Sequence, residues 1–100
     1  MSEKIYSVEE IAGFITPLLN KYGAQKAVLF GSYARNEADK NSDIDVMVTG
    51  GKTFEPADIF CIADELYRII EKDVDVYEES EINEKSDLYK NIMREGIALI

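Results

Sequence analysis

A chain of 100 residues, 46% hydrophobic and 31% charged, suits one soluble globular domain with a modest core. Its formal net charge of −9 argues against direct nucleic-acid binding, which rests on Lys and Arg meeting phosphates, and is compatible with a basic protein partner. The lack of histidine removes the usual general base and transition-metal ligand, the single cysteine excludes an internal disulfide, and no apolar run approaches the roughly 20 residues of a membrane span.

The N-terminal stretch MSEKIYSVEE has no signal-peptide core, so a cytoplasmic protein is expected. Ser7 and Glu10 form a capping box, with Tyr6 and Ile11 placed for a hydrophobic staple. Ile11, Phe14, Ile15, Leu18, Leu19 and Tyr22 recur at helical spacing until Gly23 stops the helix. Pro17 falls inside this pattern and is expected to kink or split it. Residues 26–30 read as a strand ending at Gly31, 32–38 as a short helix, and 39–42 as a turn. Residues 43–49 read as a second strand, with Ile44, Val46 and Val48 on one face and Asp43, Asp45 and Met47 on the other.

Gly50 and Gly51 end that strand. Pro56 suits the first turn of an amphipathic helix carrying Ile59, Ile62, Ala63, Leu66, Ile69 and Ile70 to about Lys72. Cys61 lies on its apolar stripe and is expected to be a small buried core residue. Residues 73–77 read as a third strand and 78–85 as a charged connection. Leu88, Ile92 and Met93 suggest a last helix stopped by Gly96, before the apolar residues 97–100. Three strands with helices between them imply one sheet covered by helices.

The chemistry concentrates in residues 31–48, GSYARNEADKNSDIDVMV. Glycine lets a backbone approach a ligand closely, and a helix starting after Ser32 would point free N–H groups at a phosphate. Taken alone, a Gly-Ser pair after a strand is usually just a turn and a cap. Asp43 and Asp45 stand two apart on a strand, so they point the same way with Cα atoms roughly 6.5–7 Å apart. That arrangement suits a hard cation such as magnesium, although an isolated Asp-x-Asp is also an ordinary solvated strand end. Asp75, between Val74 and Val76, is the third candidate, either for a metal shell or as the base that histidine cannot supply here. Asp73 competes for that role from the strand entrance. Arg35, three residues after Ser32, is placed to reach a phosphate oxygen or to pair with a nearby acid such as Glu37 or Asp39.

Gly31, Ser32, Ala34, Arg35, Ser42, Asp43 and Asp45 together resemble the signature of the minimal nucleotidyltransferase family, within the DNA polymerase β-like superfamily. Val74-Asp75-Val76 resembles the strand carrying that family's third carboxylate, and Arg94 to Ile97 resembles the end of such domains. Asn36 departs from the glycine common there, but asparagine tolerates a left-handed backbone. The resemblance implies an α+β, two-layer, polymerase β palm-like fold with a small mixed sheet of three or four strands. It implies two Mg2+ ions on Asp43, Asp45 and Asp75, with ATP as substrate held by Gly31, Ser32 and Arg35. It also implies a partner, a HEPN-type ribonuclease toxin, onto whose tyrosine AMP is transferred in an antitoxin role. Two rivals stand beside this reading. One is a module that neutralises its partner by binding alone, with residues 97–100 as a candidate contact. The other is a small-molecule nucleotidyltransferase that self-associates to build its acceptor pocket.

Overall fold

A computed structural model of the chain describes residues 3–100. Met1 and Ser2, where the stretch read for a signal peptide begins, lie outside the described residues. Helix α1 spans Val8–Tyr22 and closes with the expected capping box. The Glu10 N–H donates to Ser7 Oγ at 3.1 Å, and the Ser7 N–H donates to Glu10 Oε1 at 3.0 Å. Gly23 takes the left-handed region, φ 76°, and ends the helix. Of the kink or split expected at Pro17, the split does not occur: α1 runs through it as one helix. The proline removes one backbone donor, but Ile15 and Leu19 on either side of it are fully buried, and their packing holds the helix continuous.

Strands β1 (Ala24–Phe30), β2 (Ile44–Gly50), β3 (Val74–Glu78) and β4 (Ile97–Ala98) form one mixed sheet in the order β3-β2-β1-β4. β1 runs antiparallel to β2 and β4, and β2 runs parallel to β3. With helices α2 (Asp58–Ile70) and α3 (Asp87–Glu95), this is an α+β fold. One sheet face carries Ala27, Leu29, Ile44, Val46 and Val48 against Ile15 and Leu19 of α1 and Ile62 and Leu66 of α2. The other carries Phe30 and Met47 against Ile92 of α3. The alternation expected along β2 is therefore present, with apolar residues buried on both faces because helices cover both. Fully burying each such side chain favours folding by about 1.5–3 kcal/mol before entropy is counted.

Several boundaries differ from the sequence expectation. β1 starts two residues early, because Gly23 turns the chain directly into it, with a register shift between Ala24 and Lys26. Residues 32–38 do not make a helix. A 3₁₀ turn covers Gly31–Tyr33, and Asn36 at φ 59° then leaves the right-handed region. β2 and β3 each start one residue later than read, at Ile44 and Val74. Cys61 is exposed rather than buried. The buried stripe of α2 is Ile62, Leu66 and Ile70, and a residue one position before Ile62 sits about 100° around the helix. The apolar stretch after Gly96 supplies the fourth strand, tied by the Leu99 N–H to the Ala27 carbonyl at 2.8 Å.

Candidate functional site

Because β1 is antiparallel to β2 and β3 is parallel to it, the end of β1 and the starts of β2 and β3 meet at one sheet edge. Gly31 leaves β1 with φ 75°. The left-handed backbone favours glycine here, and a Cβ at Gly31 would fall 2.5 Å from Asp45 Oδ2 and displace that carboxylate. The Ala34 and Arg35 N–H groups both donate to the Gly31 carbonyl at 3.1 Å, and the Glu37 N–H donates to the Ser32 carbonyl at 2.9 Å. The segment is thus a chain of turns wrapped around Gly31 and Ser32, with Asn36 supplying the left-handed bend.

Asp45 lies opposite Phe30 on one side and opposite Asp75 on the other. Neighbouring strands stand roughly 4.8 Å apart, which sets two carboxylates side by side. Burial, then repulsion from Asp75 and Asp43, pushes the Asp45 carboxyl up to about 6, against the opposing charge of Arg35. Asp43, just ahead of β2, is also raised, first by partial loss of water and then by Asp75 and Asp73, with Lys72 opposing. Asp75 is exposed at the edge of the sheet. Tyr77 packs its ring on Phe30, centroids 5.6 Å apart, beside the carboxylates. Burial and the charges of Asp75 and Asp45 raise its phenol.

The turn before Asp43 is tied down by its own polar groups. The Asn41 N–H donates to Asp39 Oδ1 at 2.8 Å, and the Asp39 N–H donates to Ser42 Oγ at 2.9 Å. Ser42 therefore closes the turn that delivers the first carboxylate. Among the described residues, no three His, Cys, Asp or Glu side chains already converge as a metal cage would. A cavity of 430 Å³ around Thr49, Ile82 and Glu84 lies at the far ends of β2 and β3. Its Glu78 and Glu79 make it hostile to phosphate.

The family described as "Polymerase beta, Nucleotidyltransferase" matches residues 14–100, which include every residue named at this site. The chain belongs to this nucleotidyltransferase family. It is 41% identical over 70 residues to the Methanocaldococcus jannaschii protein named "Putative protein adenylyltransferase MJ0435", covering 70% of this chain and 75% of that one. A solved structure described as "toxin-antitoxin with AMP-PNP" matches with TM-score 0.76 and 26% identity, covering 89% of this chain and 72% of that one. Another, "putative minimal nucleotidyltransferase", matches with TM-score 0.75 and 25% identity over 92% and 95% of the two chains.

This nucleotidyltransferase brings Gly31, Asp45 and Asp75 together, with Asp43 and Arg35 close enough for their charges to act on Asp45. Arg35 is engaged with acids: Nε meets Glu37 Oε1 at 3.3 Å and Nη1 meets Glu95 Oε1 at 3.0 Å. Glu95 stands 60 residues along the chain, so no local pattern pointed to it. Lys72 was also missed. It read only as the approximate end of a helix, yet it is 2% exposed, donates to the Lys40 carbonyl at 2.9 Å and acts on Asp43. Tyr33, inside the 3₁₀ turn, is buried with its hydroxyl unpartnered among the described residues. Among those residues no helix is long and apolar enough to cross a membrane.

Proposed function

We propose that this nucleotidyltransferase moves AMP from ATP to a tyrosine hydroxyl of a HEPN-type ribonuclease toxin, and so acts as its antitoxin. One observation carries the reading: the Gly31 turn touches Asp45 with Asp75 directly opposite, so a phosphate-suited turn and a carboxylate pair share one edge. The adenylyltransferase name of the 41% identical relative supports the reaction. The toxin–antitoxin structure with AMP-PNP, an ATP analogue, supports the nucleotide and the partner.

In this reading Gly31 and Ser32 hold the β- and γ-phosphates, and Arg35 exchanges a glutamate for a phosphate oxygen. The acceptor oxygen attacks the α-phosphorus as the bond to the β-phosphate's bridging oxygen breaks, releasing pyrophosphate. Asp75 takes the proton from the acceptor hydroxyl. The all-oxygen donor set and the mutual repulsion of the carboxylates fit magnesium. Asp43, Asp45 and Asp75 would hold two such ions, the phosphates and water completing their shells. When bound, magnesium supplies positive charge against the phosphates. The protein's own contribution is positioning and fixed charge.

The test is the intact mass of a HEPN-type toxin that binds this chain, after incubation with ATP, magnesium and either wild type or an Asp43→Asn/Asp45→Asn double variant. A gain of one or more AMP units with wild type alone is expected. An unchanged mass despite a stable complex would replace transfer with neutralisation by binding. Transfer to a small acceptor without any protein partner would favour the small-molecule enzyme.

A further inference from the structure

β3 is an edge strand of the sheet, next to β2 on one side only. The Ile44 N–H donates to the Asp73 carbonyl at 3.1 Å, so the polar backbone groups of Asp73 face β2. Strand alternation then turns the N–H and C=O groups of Val74 and Val76 to the open edge. Along that edge runs a groove of 310 Å³ between β3 and α2, lined by Ile59, Phe60, Ala63, Val76 and Tyr77 and reaching Asp75. Phe60 is 72% exposed, more than the other exposed apolar side chains of α2, Ile69 and Tyr67, and it is the one of the three that lines the groove. The groove's volume is at the low end of ligand pockets, roughly 300–1,000 Å³, and suits side chains of an extended segment better than a folded domain.

We infer that this groove seats an extended, basic segment of the acceptor protein, added as a fifth strand on β3, which carries its hydroxyl to Asp75. The inference rests on the transfer reaction proposed above and names where its protein substrate docks. Three observations select this occupant. An open strand edge gives main-chain hydrogen bonds to an extended peptide, and the apolar lining gives pockets for its alternate side chains. Asp75 belongs to both the groove and the carboxylate edge, so a segment lying in the groove passes the proposed base. Asp73 and Asp75 are exposed on this strand and the chain carries a net charge of −9, which favours a basic segment and disfavours a second copy of this chain.

The experiment is steady-state AMP transfer to the proposed toxin by wild type and by Phe60→Glu, with acceptor and ATP varied separately. Phe60 is exposed, so the variant is expected to fold, which a thermal melt checks. Its KM for the acceptor should rise by about tenfold or more, as when an aromatic anchor leaves an interface, while kcat and the KM for ATP stay within about twofold. An unchanged KM for the acceptor overturns the groove while leaving transfer standing. No transfer by wild type overturns the preceding proposal instead. In a complex of the Asp45→Asn variant with the acceptor protein, the Val74 and Val76 amides should exchange with solvent more slowly than in the free chain. Exchange as fast as in the free chain overturns the added strand.

Discussion

Asp45 holds a proton that an unfolded chain would release, because its carboxyl is raised from 3.8 to about 6. Between those values the folded state binds more protons, so stability falls as pH rises through the window. Asp45→Asn removes this burden. In metal-free thermal melts the variant should have a higher Tm than wild type at pH 7, with the difference shrinking as pH approaches 3.8, while its transfer rate falls by at least ~100-fold. In the proposed reaction magnesium would compete with the same proton, so the magnesium needed for half-maximal transfer should rise as pH drops below about 6. Gly31→Ala tests the neighbouring contact. A left-handed alanine costs about 1–2 kcal/mol, and its methyl would press on Asp45 Oδ2. We expect a lower Tm in denaturation scans, and a loss of transfer that persists well below the melting range. Retained activity there would mean that the turn tolerates displacement.

At the scale of elements, the local signals and the long-range ones separate cleanly. The Ser7 cap, the Gly23 stop and the alternation along β2 were legible because each depends on residues within a few positions of one another. The short helix expected at residues 32–38 failed for a local reason too, since Asn36 at φ 59° breaks the right-handed path. β4 was illegible, because an apolar tail of four residues has no periodicity and becomes a strand only by finding β1. Gly96 makes that pairing: a Cβ there would sit 2.4 Å from the Ile92 carbonyl oxygen and 2.5 Å from Val28 Cγ1. Gly96→Ala should therefore loosen β4 from β1. Amide exchange of Leu99, whose N–H donates to Ala27, should speed up more than that of residues in β2.

For the whole molecule the dominant property is charge. A net charge of −9 on 100 residues produces a field that steers a basic partner toward it and repels polyanions. The association rate with the proposed toxin should fall steeply as salt rises, because the Debye length shrinks from about 10 Å at 0.1 M to about 3 Å at 1 M. Stopped-flow mixing at several ionic strengths measures this, and a salt-independent rate would show that charge does not guide the encounter. The same acidity would face the proposed ATP, and on the Gly31 turn the cation is Arg35, already paired with Glu37 and Glu95. That balance fits a site in which metal ions supply the charge for ATP.

The sequence by itself determined the caps of α1, the strand faces and the order of Gly31, Ser32, Asp43, Asp45 and Asp75, because these follow from local spacing and side-chain chemistry, whereas α2 runs Asp58–Ile70, starting after Pro56 and ending before Lys72. Tertiary structure alone decided that Asp45 stands against Asp75, that Arg35 reaches Glu95, that Lys72 is buried and that Cys61 is not. Each of those depends on which strands become neighbours and on how each helix rotates onto the sheet. Both are set by packing the whole core at once, which no single segment encodes.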